Sequence, residues 1–172
     1  MDPVFETDRF IVRRWMTDDA EAAFKIYSDP EVMAFIGMGR PPVESIEAMR
    51  SGLQRMIDRD SGTPYGSFPY LEKATGELVG AVLLKPLPNS EKVEVGWHLG
   101  REHWGRGYAT ETGRAALDYG FNTLGLEKIY AVVHPANTAS IRVTQRLGMK
   151  PIGRTTEFYD QELEFFELDR PT

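Results

Sequence analysis

Apolar positions along this chain change their spacing several times, and each change predicts an element. Arg9-Phe10-Ile11-Val12-Arg13-Arg14-Trp15 reads as a first strand. Thr17-Asp18-Asp19 offers N-cap chemistry to a helix reaching about Tyr27, which Ser28-Asp29-Pro30 ends. Pro41-Pro42 predicts the start of a second, longer helix, in which Ile46, Met49, Leu53 and Met56 recur at helical spacing and read as core. The pattern then turns strand-like. Gly66 to Lys73 and Glu77 to Leu87 flank the short turn Ala74-Thr75-Gly76, as in a hairpin. Pro88-Asn89-Ser90 turns the chain into Lys92 to Leu99. Helical spacing returns with Ala109, Gly113, Ala116, Gly120 and Leu124 on one face, whose small residues suit close packing against a sheet. Leu126 to His134 reads as a strand and Asn137 to Leu147 as a helix stopped by Gly148. Phe158 to Leu168 reads as the last strand, with a short extra strand near Lys150 to Arg154. Antiparallel strands come first and βαβ-like units follow, in the order β-α-α-β-β-β-α-β-α-β(-β). That order predicts an α/β (mixed α+β) class with a central mixed, mostly antiparallel sheet flanked by helices.

No repeat, low-complexity tract or linker divides the 172 residues, so the expectation is one domain over 1–172. Apolar runs stay far short of the ~20 residues of a membrane span, and Met1 to Glu6 lacks the basic-then-apolar order of a signal peptide. With no cysteine, the chain has no disulfide, thiolate metal site or cysteine nucleophile, and a cytoplasmic location is expected. The net charge of −6 argues against a nucleic-acid partner, which wants a basic footprint. His98, His103 and His134 have no metal-ligand spacing, so no metal is expected.

One segment names a ligand class. Trp104-Gly105-Arg106-Gly107-Tyr108-Ala109-Thr110-Glu111 lies where a strand-like run turns into a helical one, with little side-chain bulk. Such a turn aims unpaired backbone N–H groups at one spot at the positive end of the helix dipole, where a phosphate is well held. A P-loop would need Gly-Lys-Ser/Thr after four intervening residues, which is absent. A dinucleotide fingerprint would need a small residue at Thr110 and an acidic residue near the end of the next strand; Glu127 stands at its start.

Trp104 to Ala109 instead resembles the pyrophosphate loop Gln/Arg-x-x-Gly-x-Gly/Ala of the GCN5-related N-acetyltransferase (GNAT) superfamily. Gly107 and Ala109 fill its last two fixed positions, and Trp104 replaces the Gln or Arg. Glu94-Val95-Gly96-Trp97-His98-Leu99 is similar to the preceding strand of that family, and Asn137-Thr138-Ala139-Ser140 with Arg146-Leu147-Gly148-Met149 to its later helix. Ser28-Asp29-Pro30-Glu31-Val32-Met33 resembles a segment of the RimJ/RimL-type branch, which acetylates protein N-termini and some small amines. The resemblance implies acetyl-CoA as donor, lying where two neighbouring strands splay apart, and an amine acceptor. It places the donor on backbone groups of Trp97, His98 and Leu99, on Gly105, Arg106, Gly107, Tyr108, Ala109 and Thr110, and on Asn137 and Ser140. Gly96 reads as a bulge that opens the gap, or as a packing glycine.

Acyl transfer needs a neutral amine and a leaving thiol. About a quarter of an α-amine with a pKa near 7.8 is neutral at physiological pH, against about 0.1% of a lysine near 10.4. An N-terminal acceptor therefore asks little of a base, and Glu94, acting through a water, is the candidate. The resemblance gives Asn137 the role of orienting pantetheine and Ser140 that of donating to the departing thiolate. Arg106 is the first candidate for a phosphate contact, with Arg142 and Arg146 behind it. No cysteine stands ready to carry an acyl group, so direct attack on acetyl-CoA is expected, by a monomer or homodimer. A peptide N-terminus is the leading acceptor; a polyamine, aminoglycoside or amino-acid analogue, and a non-catalytic acyl-CoA sensor, are the rivals.

Overall fold

The computed structural model describes every residue except Met38. Its described strands form one eight-stranded sheet in the order β1-β2-β3-β4-β5-β6-β8-β7. In chain order these are β1 (Phe5–Glu6), β2 (Phe10–Val12), β3 (Gly66–Glu72), β4 (Leu78–Pro86), β5 (Val93–Leu99), β6 (Lys128–Val133), β7 (Lys150–Thr155) and β8 (Leu163–Asp169). Helices α1 (Ala20–Tyr27), α2 (Pro30–Met33) and α3 (Ile46–Asp60) separate β2 from β3, α4 (Tyr108–Asp118) joins β5 to β6, and α5 (Thr138–Arg146) joins β6 to β7. All pairings are antiparallel except β5 with β6. The mixed, mostly antiparallel sheet predicted from the pattern is the one observed.

Burial explains the arrangement. Leu78 to Leu84 of β4 are all buried, because the middle of the sheet is covered on both faces. Tyr108, Ala116, Leu117 and Val143 of α4 and α5 pack on one face, with Phe121 just beyond α4 and Leu147 just beyond α5. Ala20, Ala23, Ile26, Met49 and Leu53 of α1 and α3 pack on the other. The small-residue stripe lets α4 lie close. A Cβ at Gly113 would stand 3.1 Å from Leu147 Cδ1, and one at Gly120 would stand 2.7 Å from Ile129 Cδ1. A wider helical turn over Tyr119–Thr123 keeps Gly120 in that stripe.

Local expectations needed correction where tertiary contacts took over. The long helix starts at Ile46, not at Pro41-Pro42, because the Ser45 hydroxyl accepts from Ala48 N and caps it there. Thr17–Asp19 forms a 3₁₀ turn before α1, and buried Asp19 turns away from the helix to take two hydrogen bonds from Arg13. The first strand shrinks to Phe10–Val12 and the last begins at Leu163, because 157–161 makes a bend over the sheet. β1 and α2 were not foreseen, and Lys150–Thr155 is a full strand. Gly96 is not a bulge: β4 and β5 pair one to one from Gly80↔Leu99 to Pro86↔Val93, with Gly96 opposite Leu83. Among the described residues, no helix is long and apolar enough to cross a membrane.

Candidate active site

The gap opens without a bulge. β5 and β6 share a single register pair, Glu94↔Tyr130, and diverge beyond it toward Leu99 and Val133. The two strands leave each other because β5 stays paired to β4 along its whole length while β6 follows β8. Glu94 thus marks the apex of a V.

A cavity of about 440 Å³ fills the open part of that V. Trp97, His98 and Leu99 line it from β5, Gly105, Gly107, Tyr108, Ala109 and Thr110 from the glycine turn and α4, and Asn137 and Ser140 from α5. Ten of the sequence-predicted residues therefore meet around one space. Arg142 and Arg146 line it too, as do Val32, Phe35 and Ile36 from the other flank. Arg106 and Glu94 do not line it: Arg106 is exposed at the turn, and Glu94 is buried at the apex.

Backbone geometry explains the turn. Gly105 and Gly107 have φ of 77° and 76°, left-handed values at which a Cβ is strained. Gly107 occupies the N-cap of α4 and brings no capping side chain, so the first N–H groups of the helix lack a side-chain acceptor. Thr110 Oγ1 is buried, belongs to a residue that lines the same cavity, and has no hydrogen-bond partner among the described residues. Uncapped amides, an orphaned hydroxyl and the positive end of a helix make a donor set that fits a pyrophosphate. Trp104, which stands where a polar side chain was expected, donates its indole N–H to Leu99 O at 2.9 Å and so ties the turn to the end of β5.

Ser140 is held by donors. Trp97 Nε1 donates to its Oγ at 3.2 Å and Asn137 Nδ2 at 3.0 Å, while Asn137 Oδ1 caps α5 by accepting from Ser140 N. A hydroxyl that accepts twice has its own proton left to donate. The neighbouring β5 residue His98 is half-buried in the wall of the cleft, its Nδ1 3.0 Å from Tyr27 Oη, and desolvation pushes its pKa down to about 4. It is a neutral group at neutral pH.

Glu94 is the strongly perturbed acid of the site. Only 6% exposed, its carboxyl is pushed up to about 7 by burial, against the opposing pull of Lys85, its cross-strand partner. Tyr159, from the bend between β7 and β8, donates to both carboxylate oxygens at 3.3 and 3.4 Å. Tyr159 lies 65 positions away in the chain, and no local pattern connects the two. A carboxyl poised near neutrality at the apex of a cleft can take a proton under physiological conditions. Behind the glycine turn, where its ring stacks on Tyr108, His103 places Nε2 3.5 Å from Glu77 and 3.6 Å from Glu102, a grouping that sequence spacing did not reveal.

Comparisons with known proteins agree with this geometry. The family model described as an acetyltransferase (GNAT) domain matches residues 9–150. An uncharacterized N-acetyltransferase of Bacillus subtilis, YoaA, is 33% identical over 94% of this chain and 90% of its own. The FsC-acetyl coenzyme A-N(2)-transacetylase of Aspergillus fumigatus is 30% identical over 92% of this chain and 69% of its own. An acetyltransferase of the GNAT family from Bacillus anthracis has a similar structure, with a TM-score of 0.81, 25% identity, and coverage of 96% of this chain and 97% of that one. With the family model spanning most of its length, this chain belongs to the GNAT acetyltransferases, enzymes that take their acetyl group from acetyl-CoA.

Proposed function

We propose that the chain, as one domain over 1–172, transfers acetyl from acetyl-CoA directly to a peptide or protein N-terminal α-amino group. The observation that carries this reading is the apex of the V. A buried carboxyl near pKa 7 stands where the gap closes, and a hydroxyl that accepts two hydrogen bonds and keeps its own proton stands along its wall. The donor's pyrophosphate rests on the amides at the start of α4 and on Thr110, and its pantetheine pairs with backbone groups of Trp97 to Leu99 as a peptide adds to a sheet edge. Asn137 orients it. The neutral amine attacks the thioester carbonyl, the tetrahedral oxyanion takes a hydrogen bond from a β5 amide, and the C–S bond breaks. Glu94 receives the amine proton through a water, and Ser140 donates to the departing thiolate.

The acceptor follows from proton affinity. A base of pKa about 7 is well matched to an α-amine near 7.8 and poorly matched to a lysine near 10.4. The likeness of Ser28 to Met33 to the RimJ/RimL-type branch supports the same acceptor. One observation favours a small-amine acceptor instead: the 31% identity to the spermidine N(1)-acetyltransferase of Escherichia coli over 49% of this chain. CoA release across a panel of peptide N-termini, polyamines and amino-acid analogues tests the choice. Peptides are expected to give the highest kcat/KM. A polyamine or amino-acid analogue at the top of the ranking would replace the N-terminal reading, and acetyl-CoA binding without turnover on any amine would make the chain a sensor.

A further inference from the structure

Glu111 poses an electrostatic problem. It stands in the first turn of α4, four residues beyond the glycine N-cap, beside the amides that would hold a pyrophosphate. A carboxylate is welcome at the N-terminus of an isolated helix, but at this one it competes with the phosphates for the same positive field.

The N-terminal hairpin answers it. Arg9, at the head of β2, places Nε and Nη2 each 2.6 Å from Glu111 Oε2, and Arg9 N donates to Oε1 at 3.1 Å. Thr7 Oγ1 donates to Oε1 at 2.7 Å. The same guanidinium reaches into the glycine turn, where Nη1 donates to Arg106 O at 3.3 Å. Its face lies 4.7 Å from the centre of the Tyr108 ring, and Nη2 stands 3.8 Å from where a Cβ on Gly107 would sit. One side chain therefore touches the residue before the N-cap and both Tyr108 and Glu111 in the first turn of the helix, and lies beside the N-cap glycine. Thr7, Gly105, Gly107, Thr110, Glu111 and Arg146 line a common open cleft beside this clamp.

We infer that Arg9 is a positioning residue for the acetyl donor: it neutralises Glu111 and fixes the Gly105–Gly107 turn, so that the start of α4 presents an uncompensated positive field to the pyrophosphate. The inference rests on the donor placement given above and goes beyond it, because Arg9 lies about 100 residues from the turn in sequence and lines neither cavity. Burial raises the pKa of Glu111, and the hydrogen bonds from Thr7 and Arg9 more than offset this, so its carboxyl stays ionised throughout the working range. Half-exposed ion pairs of this kind add little to fold stability. The effect of this one therefore falls on ligand binding.

A double-mutant cycle read by acetyl-CoA titration calorimetry tests it. Arg9→Gln is expected to weaken acetyl-CoA about tenfold at low salt, the order of one uncompensated charge beside a phosphate group, with the deficit shrinking in high salt. Arg9→Gln/Glu111→Gln is expected to recover most of the lost affinity, because the offending charge is gone. Thermal melts establish that each variant folds, and kcat at saturating acetyl-CoA is expected to move far less than KM. Unchanged affinity in Arg9→Gln would overturn the inference. So would a double variant as weak as Arg9→Gln, or a loss indifferent to salt. Wild-type protein that fails to bind acetyl-CoA would instead remove the donor placement itself, and the two failures are distinguishable in one titration series.

Discussion

The two flanks of the cleft are built from different materials. The donor flank is mostly main chain: left-handed glycines, uncapped amides, and a strand end tied down by Trp104. The flank proposed to meet the acceptor is made of ionisable and aromatic side chains from distant segments: buried Glu94 on β5, half-buried Tyr159 from the bend after β7, and half-buried His98 against Tyr27 of α1. A backbone cradle depends on glycine at fixed positions and tolerates changes around them. A constellation of buried side chains depends on each partner and is sensitive to pH. The donor flank should therefore break through conformation and show in KM, and the acceptor flank through chemistry and show in kcat and pH dependence.

The largest expected effect is at the apex. Glu94→Gln keeps the shape and removes the proposed base, and is expected to lower kcat/KM by about 10² while acetyl-CoA affinity holds, measured by turnover and calorimetry. On the donor flank, Gly107→Val forces a β-branched residue to φ of 76°, which costs about 1–2 kcal/mol or more. Acetyl-CoA KM is expected to rise at least about tenfold, with kcat at saturation much less affected. Equal losses in kcat and KM for both variants would erase the division of labour.

Ser140→Ala, on the boundary between flanks, is expected to lower kcat about tenfold, since the thiol leaving group needs only modest help. Full turnover with the best acceptor would remove its role. Tyr159→Phe has the smallest effect and the most diagnostic one. The lost hydrogen bond favours the carboxylate, so the pKa of Glu94 rises and the acid limb of kcat/KM moves to higher pH. A uniform loss of rate with an unmoved limb would make Tyr159 a packing residue.

Glu94 also makes a stability prediction independent of activity. Its folded pKa, about 7, lies above its ordinary value of 4.5, so the folded state favours the protonated form. That preference contributes fully below pH 4.5 and is lost as pH rises through 7. At pH 8 the ionised, buried carboxylate costs on the order of 3 kcal/mol relative to the acid form. Glu94→Gln should therefore raise Tm at pH 8 and gain little at pH 4, in melts at the two values. A gain that is the same at both would mean that Glu94 does not titrate in the folded state.

The same contrast explains what could be read from sequence. The glycine-turn side of the cavity was legible because its pattern is local: Gly105, Gly107 and Ala109 announce the turn within a few residues, and Asn137 and Ser140 sit three apart on one helix. Glu94 was legible only as a carboxylate on the right strand. Its raised pKa comes from burial that no spacing encodes, and Tyr159 comes from 65 residues away. Arg9 read as an ordinary strand residue because Glu111 lies 102 positions on. Gly96 shows the opposite error. A glycine in a strand was a sound reason to expect a bulge, yet the splay comes from β5 and β6 answering to different neighbours. Pro41-Pro42 failed for a similar reason, since Ser45 supplied the better cap.

The central claim is that Glu94, at the apex of the V, accepts the proton of an attacking α-amine. The slope of log kcat/KM against pH for a peptide acceptor tests it most directly. Below pH 7 two groups must lose protons, the amine and Glu94, so wild-type enzyme is expected to approach a slope of two, and Glu94→Gln a slope of one with a lower plateau. A slope of two retained in Glu94→Gln would place the second ionisation elsewhere and contradict the account.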